Sequence, residues 1–174
     1  MPASHSSAGS GRLLTFLCLT FLLCGCGGEE ADREGTTSAP PPYPTGLSAA
    51  STPRQAAEVL IEALDQKNGQ VLQGLVAARH EAEQVDAIYR RHGRRHQTSL
   101  IEAARLAASG WSATYAWFEP GTTKVTGELI QGETTVVEAR GRNPSTGRPR
   151  LLVIEMIRED GVWKVKAGLE SSEL

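Results

Sequence analysis

Near the middle of this 174-residue chain the spacing of apolar side chains changes from a helical period to a strand period. No other feature narrows the fold so much. "TPRQAAEVLIEALDQKNGQ" opens with Thr52 as N-cap, Pro53 at the first helical position and Gln55 completing a capping box. Ala56, Leu60, Ala63 and Leu64, with Val59 beside them, form one stripe of a helix expected to stop near Asn68-Gly69. A short second helix carries Val71, Leu72, Leu75 and Val76. A third, Glu81 to His92, sets Val85, Ile88 and Tyr89 on one face and ends at Gly93. "SLIEAARLAASG" predicts a fourth, with Ser99 and Glu102 as capping box and Gly110 as its stop.

Beyond Gly110 the apolar residues alternate. Trp111 to Phe118 reads as a strand with Trp111, Tyr115 and Trp117 on one face. "TKVTGELI", "TTVVEARGR", "RLLVIEMIR" and "VWKVKAG" follow, separated by "PGT", "QGE", "NPSTGRP" and "EDG" as hairpin turns. Helices first and an antiparallel meander afterwards predict an α+β fold, with N-terminal helices packed on a curved antiparallel sheet.

All three cysteines, Cys18, Cys24 and Cys26, lie in "LTFLCLTFLLCGCGG". Leu13 to Leu23 is apolar apart from Thr15 and Thr20, the length of a signal-peptide h-region and short of the ~20 residues a spanning helix needs. Arg12 supplies a thin positive flank. "LCGC" then resembles the bacterial lipobox, in which the signal is cut before a cysteine whose thiol carries diacylglycerol; on that resemblance the lipidated residue is Cys26. The alternative is an ordinary secretory signal with incidental cysteines. A C-x-C pair fits neither a four-ligand metal site nor a C-x-x-C redox pair. Residues 1–25 are therefore expected to be a lipoprotein signal peptide. Residues 26–51, rich in Gly, Ser, Thr and Pro, should form a disordered tether, residues 52–170 the folded domain and 171–174 a tail.

The opening helix and the closing "LLVIEMIREDGVWKVKAG" resemble the cone-shaped nuclear-transport-factor-2-like superfamily, in particular its small bacterial lipoprotein members. The resemblance runs from about Thr52 to Leu169 and is most specific at "EDGVWKV". It implies that Trp163 plugs the cone while Asp160-Gly161 makes the turn. On this reading Tyr89, Tyr115, Trp117, Met156 and Trp163 line a pocket or fill the core.

Superfamily enzymes place Asp or His inside the cone, which makes Asp86, Tyr89, Tyr115, Glu138 and Glu155 the residues to weigh. On "LLVIEMIR", Leu152, Ile154 and Met156 share one face, while Leu151, Val153 and Ile157 share the other with Glu155. Glu155 is expected outside the cone, and Glu138 with Arg140 and Lys124 with Glu128 fit outer-face ion pairs. No Asp-His pair or nucleophile–base spacing appears in the strands. "RRHGRRHQ" spaces His92 and His96 four apart, but Gly93 intervenes and no acidic ligand is adjacent, so no metal site is expected. A solvated basic loop is the plain reading, and contact with anionic lipid headgroups a further one.

With 18 Lys+Arg against 20 Asp+Glu, no global field draws nucleic acid, and no cofactor is expected. The resulting expectation is a noncatalytic envelope lipoprotein, held to the cell membrane or outer membrane through Cys26 and facing the periplasm or exterior. Its cone would bind a small molecule or a protein partner, with a homodimer through the sheet face as one association. The alternative is a small-molecule lyase, isomerase or hydrolase using a buried carboxylate or His. The sequence names no ligand.

Overall fold

In the computed structural model, which describes residues 41–131 and 133–174, Thr52 and Gln55 close the capping box in both directions. The Gln55 amide donates to Thr52 Oγ1 at 3.2 Å and the Thr52 amide to Gln55 Oε1 at 2.9 Å. Helix α1 runs Pro53–Asp65 and stops before Asn68, because Lys67 takes a left-handed φ of 54°. Asn68 instead caps the next helix, α2 (Gly69–Leu75), by accepting from the Val71 amide. Helices α3 (Ala78–Arg91) and α4 (Leu100–Tyr115) complete the helical half among the described residues.

Two helical expectations change. Helix α4 does not end at Gly110 but continues through Trp111 to Tyr115, so the expected strand from Trp111 to Phe118 is absent. Trp111 and Tyr115 are four apart as well as an even number apart, and they extend the stripe of Ala104, Ala107 and Ala108 into the core. An interior glycine costs a helix about 1 kcal/mol, which burial of two large aromatic side chains outweighs. On α3, Ala78 and Ala82 rather than Val85, Ile88 and Tyr89 form the buried face, and Ile88 is 54% exposed. Small side chains allow α3 to lie close to its neighbours, and the larger ones are turned outward.

Four strands form one antiparallel sheet in chain order: β1 (Lys124–Gln131), β2 (Thr134–Arg142), β3 (Pro149–Glu159) and β4 (Val162–Glu173). Pairing of Thr135 with Met156, Val137 with Ile154 and Ala139 with Leu152 puts all six on the face beneath the helices, fully buried. Leu151, Val153, Glu155 and Ile157 occupy the opposite face, half-buried, as the alternation predicts. Glu155 lies outside the core and accepts from Lys166 Nζ at 2.6 Å. Glu138 and Arg140 are exposed there, but among the described residues neither forms an ion pair. Lys124 and Glu128 cannot pair across one face. A bulge between Val125 and Gly127 shifts the register, so that Lys124 faces Arg140 on one side and Glu128 faces Val137 on the other. A second bulge lies between Ile154 and Met156. Asp160 and Gly161, with φ of 54° and 79°, make the two-residue turn expected from "EDG".

The ends of the domain are more ordered than the composition suggests. Strand β4 continues to Glu173, and the Leu174 amide bonds to the Pro149 carbonyl at 3.1 Å, so residues 171–174 are not a tail. The expected signal peptide, residues 1–25, and the first part of the expected tether, residues 26–40 with Cys26 itself, lie outside the described residues. Of residues 41–51, Tyr43 and Leu47 pack against the core. Tyr43 donates its hydroxyl to the Trp163 carbonyl at 2.8 Å, and its ring lies 4.5 Å from Lys164 Nζ, which bonds the Gly74 carbonyl. A Cβ on Gly74 would run into the Pro42 carbonyl.

Candidate functional site

The expected pocket residues do not converge. Met156 is fully buried core, packed between strands rather than bordering an opening. Trp163 is half-buried at the hairpin end, two residues before buried Val165, with Arg158 5.2 Å over its ring. It does not plug the interior; fully buried Trp111 does, donating Nε1–H to the Ala167 carbonyl at 2.8 Å. Trp117, released past the end of α4, is 59% exposed. Tyr89 lies outside the core and packs on His96 with ring centres 4.2 Å apart and the ring planes tilted by 35°.

Tyr115 is joined to a concave surface through Asp65, and Tyr89 borders a separate hollow at the end of α3. The Tyr115 ring is buried, and its hydroxyl donates to Asp65 Oδ1 at 2.8 Å at the last residue of α1. Asp65, Glu62, Glu58 and Arg54 descend one face of α1 and, with Thr123 and Lys124 at the start of β1, border a cleft of about 440 Å³. That volume suits a small ligand. Much of the lining is already engaged. Arg54 is paired with Glu58 at 3.0 Å and Gln66 donates to Glu62 at 2.9 Å. Thr123 is buried, and its hydroxyl has no hydrogen-bond partner among the described residues. Sequence reasoning missed this group. The 58, 62, 65 spacing was visible beside the apolar stripe, but nothing local brings Thr123 and Lys124 to it.

Burial, reinforced by the adjacent Asp65 carboxylate, raises the Tyr115 hydroxyl well above the ordinary tyrosine range. A raised folded-state value means that this stabilisation is complete below pH about 10 and is lost as pH climbs further. Tyr115→Phe should cost about 1–2 kcal/mol at pH 8 through the lost hydrogen bond to a carboxylate. The gap between the two proteins should narrow above pH about 10, because only the parent must give up that proton. Urea midpoints at pH 8 and 11 measure it, and a constant gap would refute the assignment. Tyr43, likewise raised by burial, and Lys164, lowered by burial, are common to both proteins and cancel.

The other titratable candidates have structural partners. Asp86 Oδ1 accepts from the Thr98 amide at 2.9 Å and the Thr98 hydroxyl at 2.8 Å. Desolvation pushes its carboxyl up, but these bonds and the nearby His96 and Arg90 outweigh it, leaving the group below the usual range. Glu155 is held by Lys166, and Glu138 faces solvent. Among the described residues no three His, Cys, Asp or Glu side chains are placed to share a metal ion. No family model, curated protein or solved structure matches this chain.

Proposed function

We propose that the chain is a lipid-anchored module of the cell envelope, of the cone-shaped nuclear-transport-factor-2-like kind, which binds a small molecule or a protein segment without transforming it. The helix-then-meander order supports the fold reading, and "LCGC" supports anchoring through Cys26. One observation carries the noncatalytic part. The face of the sheet beneath the helices is closed by Trp111, Leu152, Ile154 and Met156, while Asp86 and Glu155 are held in structural bonds. Binding is then left to the solvent-open cleft between α1 and β1, whose charged walls suit a polar ligand. Among the described residues no helix is long and apolar enough to cross a membrane.

Mass spectrometry of the membrane fraction tests the anchor. The mature chain should begin at Cys26 carrying diacylglycerol, and Cys26→Ser should leave an uncleaved precursor. An unmodified N-terminus elsewhere refutes it. A second reading, a lyase, isomerase or hydrolase of small molecules, is favoured by Asp65, which borders the cleft and accepts a hydrogen bond from buried Tyr115. Turnover of a small molecule that Asp65→Asn abolishes, with the fold intact, would move the reading from binding to catalysis.

A further inference from the structure

Between Asp86 and Glu102 lie fifteen residues without a carboxylate, and they hold four arginines and two histidines in a chain whose overall charge is nearly balanced. The structure shows that this is a folded surface. Gly93, at a φ of 70°, reverses the chain after α3, and the Arg94 amide bonds back to the Tyr89 carbonyl at 3.0 Å. The Tyr89–His96 ring contact and the two bonds from Thr98 to Asp86 then hold the returning segment against the helix. Arg90, Arg91, Arg94 and Arg95 are all exposed, and none takes part in an ion pair among the described residues. Asp86, the carboxylate one turn before Arg90 on α3, accepts two hydrogen bonds from Thr98.

Apolar side chains stand beside the charges. Ile88 is 54% exposed and, with Tyr89, His92 and Arg94, borders a hollow of about 420 Å³. One turn back along α3, Val85 shares a groove with exposed Leu106 of α4. The C-terminus of α3 contributes about half a negative charge at this end, which four guanidinium groups exceed several-fold.

We propose that the Arg90–Arg95 turn, with Ile88 beside it, is a docking surface for the anionic phospholipid face of the bilayer that holds the anchor. Guanidinium forks match phosphate oxygens, and an exposed isoleucine amid them suits the headgroup–acyl boundary rather than the wet backbone of a nucleic acid. The seventeen residues after Cys26 end at Tyr43. Fully extended they span at most about 60 Å, so the surface can reach the membrane, and tethering lets a weak individual attraction suffice. The proposal rests on the anchored reading for the nearness of the bilayer. Attraction of the patch to anionic vesicles does not require the diacylglycerol on Cys26.

The full chain carrying Cys26→Ser is sedimented with vesicles of pure phosphatidylcholine or with about 30% phosphatidylglycerol, at about 50 mM salt. The apolar segment Leu13 to Leu23 partitions into both, so the patch is read from the difference between lipids. Four arginines predict a preference for the anionic vesicles on the order of 100-fold, falling steeply as salt is raised to about 500 mM. Combining Arg90→Gln, Arg91→Gln, Arg94→Gln and Arg95→Gln should reduce the preference to within about threefold without changing the melting temperature. Equal binding to both vesicles, a preference that salt does not weaken, a preference the variant retains, or displacement by a short DNA duplex bound more tightly than the vesicles would each overturn the proposal. A lipid-free mature protein whose vesicle preference persists would remove the anchor and uphold the patch.

Discussion

Trp111→Ala should destabilise the domain by about 3–5 kcal/mol and lower its melting temperature on the order of 10–20 °C. The indole is fully buried, and truncation removes the largest side chain at the centre of the core together with its bond to the Ala167 carbonyl. A domain of this size is stable by only about 5–15 kcal/mol, so the variant is expected near the edge of folding. The other two tryptophans are internal controls. Trp163→Ala should cost about 1–2 kcal/mol, because its ring is half-buried at the end of the β3–β4 hairpin, and exposed Trp117→Ala within about 0.5 kcal/mol. Thermal melts of the three rank them. A larger loss at Trp163 than at Trp111 would restore the cone-plug assignment and overturn the helical placement of Trp111.

Met156→Ala decides whether the space beneath the helices is closed. Met156 faces Thr135 and Val165 across the two neighbouring ladders, and its side chain is fully buried. Deleting it should cost about 2–5 kcal/mol, the sum of lost transfer energy and an unfilled cavity. Chemical denaturation gives the value directly. A cost below about 1 kcal/mol would mean that the thioether borders open space, and a ligand cavity inside the sheet would then replace the cleft beside α1 as the binding site.

The bulge between Val125 and Gly127 shows where local reading stops. Alternation in "TKVTGELI" marks a strand, and β1 forms there; the extra residue then reverses which side chains share a face, separating Lys124 from Glu128. The same limit applies to the candidate site. Residue type singles out Tyr115, but Asp65 lies fifty positions earlier and Thr123 outside both helices, and only packing of α1 against α4 and β1 joins them. The basic surface divides differently. Its charge is wholly visible in "RRHGRRHQ", whereas the exposure of Ile88 depended on which face of α3 was covered.

The sequence by itself determined what local chemistry dictates: the capped starts of α1 and α4, the Asp160-Gly161 turn, the inward set Leu152, Ile154 and Met156, and the α+β order of elements. Capping, turn formation and side-chain alternation each involve residues a few positions apart, so their energies are nearly independent of the rest of the chain. Only the tertiary structure decided whether "WSATYAWF" is helix or strand, since its aromatic spacing satisfies both periods and the slot beneath α4 selects the helix. Long-range packing likewise laid Tyr43 on Lys164 and Trp163 and drew β4 on to Glu173. Those contacts join positions more than twenty residues apart, and their energy exists only once the intervening chain has folded.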